Sequence, residues 1–374
     1  MKVKKFEVHG LFNKNSIVDL DFNDDINIIT GRNGAGKTTV MKLMWYLMSG
    51  NIEIAIREIN FHKVFLETDL YALQVVKINR VTCRVEFGRD IESMETYEDE
   101  IGSSGELESS AEDIPNQLLL ELGGSVFLPT FRRIEGGFTL GLTSSQRSRK
   151  IKSNVEEALV SLSRSLSNYE HKFVTSISSV DIVDILLKEY ADLSQLYNDA
   201  QRETSQEIIN SIKLYKKDVF GPAIVSEDVN PEQVLDRVQV MIESLEEQRV
   251  NIMNPIESFR SVVEKLFKHV GIKIDSRLSF GDAASAVSSE ELSAGEKQML
   301  SFLCYNAFHK NSVFFIDEPE LSLHVDWQRQ LFGILRRQNS TNQFIMATHS
   351  PFIYSKYPES EICLDVDRGD SEGE

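Results

Sequence analysis

Two widely separated groups of residues in this 374-residue chain have the types and spacing to handle a nucleotide's phosphates. Residues 31–38 read GRNGAGKT. Gly31, Gly34 and Gly36 let the backbone turn tightly and approach a ligand without Cβ clashes. Successive N–H groups then form an anion nest, and a helix starting near Lys37 adds its positive end. Lys37 can reach the β and γ phosphates, and the Thr38 hydroxyl can ligate Mg²⁺. Asn33, Gly34, Gly36, Lys37, Thr38 and Thr39 are the candidate nucleotide-binding residues here. The second group lies near the other end, where residues 313–320 read VFFIDEPE. Asp317 is placed to hold Mg²⁺ directly or through water. Glu318 follows at once, points to the other side of the pleat, and can polarise an attacking water as general base.

The elements needed to position these groups are legible. Residues 26–30 (INIIT) are a β-branched apolar run that predicts a buried strand. Residues 38–48 (TTVMKLMWYLM) predict a helix. A strand before the glycines and a helix after them argue against a chance match in a Gly-rich turn. Residues 312–316 predict a short apolar strand delivering Asp317, with Pro319 ending its ladder. A lone acidic pair at a strand end is commonly just solvated. Here it accompanies the phosphate loop.

Residues 292–298 (LSAGEKQ) resemble the signature motif of ABC-type ATPases, and Ser293 suits a helix N-cap. Residues 320–324 (ELSLH) resemble the D-loop of that class, and His349 in ATHSP resembles its switch histidine. The resemblance implies ATP and Mg²⁺ as ligands, with Lys37, Glu318 and His349 catalytic, and Thr38 and Asp317 holding the metal. It further implies that Ser293 and Gly295 grip the γ-phosphate carried by the opposing subunit. A chain that splits its parts this way completes its site when two copies face each other, so the first expected partner is the chain itself.

About 250 residues separate the phosphate loop from the signature, more than one nucleotide-binding domain needs. Apolar residues recur at helical spacing through Ile182, Ile185, Leu186, Tyr190, Leu193 and Leu196. They recur again through Val238, Ile242 and Leu245, and then Phe259, Val262, Leu266 and Val270. Gly221-Pro222 and Asn230-Pro231 separate two arms. An antiparallel helical insertion of this kind is similar to the Rad50, SMC, RecF and OLD group. Because the stripe is broader than a strict heptad seam, a compact helical domain is expected. The resulting division is an N-terminal lobe over 1–149, a helical insertion over 150–273 and a C-terminal lobe over 274–374.

Within that group the chain resembles the stand-alone AAA15/AAA21-type ATPases of bacterial anti-phage defence, PARIS systems first and Septu second. The residues that carry this are HGLFN at 9–13, FLPTFRRIEGG at 127–137 and ELSLH at 320–324. One departure stands out. Where such ATPases carry a Q-loop glutamine, this chain has Thr130-Phe131-Arg132-Arg133, flanked by Gln117 and Gln146. Arg132 and Arg133 could contact phosphate or a partner, or could be paired surface arginines. OLD- and Gabija-type proteins continue into a TOPRIM nuclease, whereas about 25 residues follow His349 here. A separate nuclease effector is therefore expected: TOPRIM-type for a PARIS-like protein, HNH for a Septu-like one. A phage protein is a further candidate partner, as trigger.

Forty basic residues face 58 acidic ones, a formal net charge of −18. That disfavours broad binding to a polyanion. Local basic clusters remain at Arg147, Arg149, Lys150 and Lys152, and at Lys213, Lys216 and Lys217, where solvated helix faces are the plainer explanation. Cys83, Cys304 and Cys363 show no ligand spacing, which fits a reducing cytoplasm without a zinc site. No signal peptide or membrane-spanning run is present, so no membrane role is expected. Residues 90–113 hold ten carboxylates and read as a solvated loop or an acidic docking segment.

The expected fold is α/β: an ABC-ATPase head with a mixed sheet, split by the helical insertion. Residues 2–8, 17–21 and 75–87 should form its antiparallel part. Residues 313–316 and 343–347 should join the phosphate-loop strand in a parallel core. Two functions stay open. One is a regulatory ATPase scaffold controlling a nuclease effector, and the other is a RecF- or Rad50-like repair ATPase acting directly on DNA.

Overall fold

A computed structural model of the chain describes residues 1–13, 17–101, 107–130, 158–159, 161–174, 179–220, 231–266, 293–338 and 341–364. It divides into two compact units, one of residues 1–178 with 292–374 and one of residues 179–291.

Strands in the first unit follow two different hydrophobic patterns. β1 (Val3–His9), β4 (Lys63–Thr68) and β6 (Cys83–Gly88) alternate buried and half-buried residues. Such alternation suits sheets with one covered face. With β2 (Ile17–Asp21), β5 (Ala72–Lys77) and β7 (Glu95–Glu98) they form an antiparallel sheet in the order β2-β1-β4-β5-β6-β7. By contrast, β3 (Ile26–Thr30), β10 (Gly124–Leu128), β12 (Ser312–Asp317) and β13 (Gln343–Ala347) are buried at every residue. Continuous apolar runs of that kind belong in parallel sheets covered on both sides. Together with β11 (His171–Phe173) and β14 (Glu361–Cys363) they form a wholly parallel sheet in the order β11-β10-β12-β13-β3-β14.

Between these layers, α1 (Lys37–Met48) is buried almost all round, as an apolar circumference requires. Its Trp45 ring lies 6.0 Å from Phe127 of β10 and 5.0 Å from Phe173 of β11. Phe127 also stacks on Phe173 at 5.2 Å. The parallel core around β3, β12 and β13 is as expected. The antiparallel strands, however, form a sheet of their own instead of one mixed sheet. Gln343 at the start of β13 joins the two, accepting from Val3 N–H at 2.7 Å and donating to the Val3 carbonyl at 2.8 Å.

Several expectations need correction. Residues 75–87 are not one strand: Asn79 Oδ1 accepts from the N–H groups of Val81 and Thr82, which turns the chain between β5 and β6. The acidic segment after residue 90 is not simply a loop. Its carboxylates compose the edge strand β7 and the two-stranded ribbon of β8 (Glu100–Ile101) and β9 (Leu107–Ser109). Asp99 anchors it by accepting from Cys83 N–H and Ala111 N–H at 3.2 and 2.9 Å. The helical unit begins at residue 179 rather than 150, because β11 pairs with β10 in the parallel sheet. Its far expected boundary, at 273–274, lies outside the described residues, as do the basic cluster at 147–152 and Val270.

The second unit consists of α4 (Ser179–Phe220, 42 residues) and α5 (Pro231–Leu266, 36 residues). These are about 60 and 50 Å long at 1.5 Å per residue, and they run antiparallel side by side. The unit is built on this pair of long helices. The covered residues on α4 are Ile185, Leu186, Glu189, Tyr190, Leu193, Ser194, Tyr197, Ala200, Thr204, Ile208 and Ser211. From Tyr197 onward they step by three or four, approximating a heptad seam, while the covered face before it is broader. Leu196 and Ile242, both counted in the sequence stripe, are 57% and 54% exposed. Among the described residues no helix is long and apolar enough to cross a membrane.

His171 is fully buried in the first unit, with Nδ1 2.8 Å from the Ser125 hydroxyl. Burial pushes its pKa down from 6.5 to about 4, against an opposing Leu119 backbone contact. Below pH 6.5 the unfolded chain takes up a proton that the folded chain refuses until about pH 4. Stability should therefore fall across that window by about 3 kcal/mol. Denaturant unfolding at pH 7 and pH 4.5 should show a smaller loss in His171→Gln than in the wild type. Equal losses in both would remove this histidine as a cause.

Candidate functional site

The parallel sheet brings the distant motifs together. Its order places β13 between the phosphate-loop strand β3 and the acidic strand β12. Ile29, Ala347 and Asp317 occupy one row across the three strands. The segments that leave those strands therefore emerge side by side at their C-terminal ends. That edge of an open α/β sheet is where ligands bind.

Gly31, Gly34 and Gly36 all take positive φ, at 148°, 83° and 95°. Gly36 has a second reason to lack a side chain: a Cβ there would lie 2.7 Å from the Phe12 ring. Asn33 is exposed on the loop, and Thr39 is half-buried in the first turn of α1. Lys37 is only 6% exposed. Its ammonium donates to the Gly31 and Arg32 carbonyls, each at 3.2 Å, and lies 2.7 Å from His349 Nε2. An ammonium has no lone pair, so Nε2 must accept in that contact. Burial lowers the Lys37 pKa, while Glu318, Asp317 and Glu320 oppose the shift.

Asp317 is 1% exposed. The Thr38 hydroxyl lies 3.0 and 2.9 Å from its two oxygens. Burial raises its pKa, and hydrogen bonds from Thr130 and Thr38 oppose that rise. A buried carboxylate beside hydroxyls is an oxygen donor set that fits Mg²⁺. Among the described residues no group of three or more His, Cys, Asp or Glu could hold a metal alone. Mg²⁺ held through one carboxylate and substrate phosphates needs no such group.

Glu318 reaches the site by a different route from the one expected. β12 ends at Asp317, and Glu318 takes the left-handed conformation at φ 45° with its N–H on the Ala347 carbonyl at 2.9 Å. Its direction is thus set by a strained turn rather than by the pleat. Glu318 Oε1 lies 3.9 Å from His349 Nε2. Pro319 opens a 3-10 turn instead of merely ending the strand.

Thr130 escaped the sequence reading as a contributor. Its hydroxyl donates to Asp317 Oδ2 at 2.5 Å. β10 pairs with β12 with Leu128 opposite Ile316, so the chain just past Leu128 arrives beside Asp317. Only that pairing reveals it, because the two strands are far apart in sequence. Gln117 is exposed on α3 (Asp113–Leu120), while Arg132, Arg133 and Gln146 lie outside the described residues.

Ser293 caps α6 (Ala294–Phe308) as expected. Its hydroxyl accepts from Glu296 N–H at 3.3 Å, and its own N–H donates to Glu296 Oε2 at 2.7 Å. Gly295 packs where a Cβ would come 2.3 Å from the Ser322 carbonyl oxygen. Ser293 is exposed. Its side chain engages this cap rather than the cluster of Lys37, Thr38, Asp317, Glu318 and His349.

A family model described as "AAA domain, putative AbiEii toxin, Type IV TA system" (AAA_21) matches residues 26–355, from β3 to beyond His349. The chain belongs to this family. It is accordingly an ATPase of the AAA/ABC type, and the loop, acid pair and histidine described above all lie inside the matched region. Two solved structures overlap with it at low scores. One is an Smc head domain with an extended coiled coil bound to the C-terminal domain of ScpA, derived from Pyrococcus furiosus. It has 14% identity, covers 95% of this chain and 91% of that chain, and has a TM-score of 0.37. The other is an Smc head bound to the C-winged helix domain of ScpA, with 11% identity, the same two coverages and a TM-score of 0.40. At those scores the overlap carries no argument about function.

Lys37→Ala should weaken ATP binding about 100-fold, since the phosphates lose their buried cation. Glu318→Gln should bind ATP nearly as the wild type does, yet turn over about 100-fold more slowly or worse. Fluorescent-nucleotide titration and phosphate release check both. Wild-type turnover in Glu318→Gln would remove that residue from the base role.

Proposed function

We propose that the chain binds and hydrolyses ATP between two copies of its head and thereby controls a separately encoded nuclease of an anti-phage defence system. The observation that carries the reading is the division of the motifs. Lys37, Thr38, Asp317, Glu318 and His349 converge, while Ser293 stands exposed at its own helix N-terminus, free to meet a second copy's nucleotide. ATP enters with its phosphates on the loop at 31–36 and on Lys37. Thr38 and Asp317 would hold Mg²⁺, which would supply positive charge where the phosphates develop negative charge. Glu318 orients the attacking water and takes its proton. His349, relieved of Lys37 as that ammonium turns to phosphate, becomes available to the γ-phosphate.

The controlled effector is taken to be TOPRIM-type, or HNH-type if the system is Septu-like, with a phage protein as trigger. The family description's reference to a toxin and a TA system accords with an ATPase that works within such a system. ATP can switch the effector only if the effector binds open and closed heads unequally. The alternative, a RecF- or Rad50-like ATPase acting directly on DNA, has the net charge of −18 against it.

Light scattering tests the assembly. Glu318→Gln with ATP should gain mass relative to the nucleotide-free protein, unless a larger assembly already joins the heads. Adding Ser293→Arg should abolish head closure while leaving the fold intact. Unchanged closure and turnover in Ser293→Arg would defeat the shared site. Expression with and without the adjacent gene tests effector control: toxicity should require both genes. A DNA-stimulated, salt-sensitive ATPase rate would instead favour the repair reading.

A further inference from the structure

The geometry points to Glu320, supported by Gln328, as a positioning residue that sets the place of His349 for ATP hydrolysis. This inference rests on the ATPase reading of the site.

Glu320 is the third carboxylate near Lys37, and the chemistry assigned above does not use it. Its Oε1 accepts from the backbone N–H of His349 at 2.6 Å. A backbone N–H on an ionised carboxylate is a strong, directional bond. It acts on the main chain, so it places the whole residue and not only the ring. The other oxygen, Oε2, is buried and has no hydrogen-bond partner among the described residues. The carboxylate is therefore held largely by its bond to the histidine turn, and keeping it there has a desolvation cost.

Gln328, on α7 (Val325–Arg336) and 9% exposed, ties the same two segments together. Its Nε2 donates to the carbonyls of Glu320 and Leu323 at 3.2 and 2.8 Å. Its Oε1 accepts from the Ser350 hydroxyl at 2.7 Å. One buried amide thus joins the turn after Glu318 to the turn that carries His349. The turn after Glu318 is constrained on another side too, because the Ser322 carbonyl lies against Gly295 in the first turn of α6. Moving Glu320 would shift His349, which lies 2.7 Å from the Lys37 ammonium and 3.9 Å from Glu318. A displacement of about 1 Å is enough to spoil the alignment of reacting groups.

Glu320→Ala removes the acceptor, whereas Glu320→Gln keeps an acceptor oxygen without the charge. Hydrogen–deuterium exchange of the peptide spanning 347–351, in the absence of nucleotide, reads the clamp independently of turnover. Exchange should quicken at least tenfold in Glu320→Ala and stay near wild type in Glu320→Gln. With ATP, Glu320→Ala should lower kcat about tenfold, with ATP affinity and Tm unchanged, and Glu320→Gln should restore most of the rate. Three results would overturn the proposal: unchanged exchange in Glu320→Ala, faster exchange with wild-type kcat, or Glu320→Gln as impaired as Glu320→Ala. A wild-type chain that hydrolyses no ATP at all would fail the ATPase reading on its own, while the exchange measurement still decides the clamp.

Discussion

The hydrogen bonds between the Thr38 hydroxyl and the buried Asp317 carboxylate are the interaction on which the site depends. A carboxylate removed from water is costly unless polar groups compensate it. Thr38 supplies that compensation from the start of α1, and Thr130 supplies more from the end of β10. Three segments far apart in sequence are thereby held to one atom group. Each of them can only reach it if its strand takes the correct place in the parallel sheet. A cation bound at this carboxylate would meet an environment in which burial already disfavours an uncompensated negative charge.

The rest of the first unit keeps those strand ends in place. α1 is apolar nearly all round, so it must be covered on every side, and the two sheets provide that cover. The aromatic cluster of Trp45, Phe127, Phe173 and Phe315 fixes α1 against β10, β11 and β12. These rings bury large areas and pack at defined angles, which limits sliding of the helix along the sheet. The phosphate loop at the head of α1 inherits that rigidity. Next to the chemistry, positive φ is taken by the three glycines of the loop and by Glu318 in its left-handed turn.

The helical unit obeys a different rule. Two helices lying side by side can cover only a narrow seam on each other. From Tyr197 onward the seam residues on α4 step by three or four, while apolar residues outside the seam, such as Leu196, Ile209, Leu235 and Ile242, stay exposed. A stripe broader than the seam is compatible with a pair of long helices because exposed apolar residues, scattered singly, are tolerated.

Short-range order is what the sequence alone determined. The glycine loop with its flanking strand and helix, the acidic strand end, the cap at Ser293 and the buried character of β3, β12 and β13 all follow from neighbours within a few residues. Such features depend on backbone sterics, capping and hydrophobic periodicity, which are local. Tertiary structure alone decided the pairings. It separated the antiparallel strands into their own sheet, because their alternating pattern allows one open face while the parallel strands need two covered ones. It placed Thr130 on Asp317 through the pairing of β10 with β12, and Glu320 on the His349 backbone through the order of β12 and β13. It recruited β11 into the head sheet and turned the acidic segment after residue 90 into an edge strand. Each of these rests on contacts between residues remote in sequence. Their energies come from burial and hydrogen bonds that exist only once the sheet has formed, so no local pattern records them.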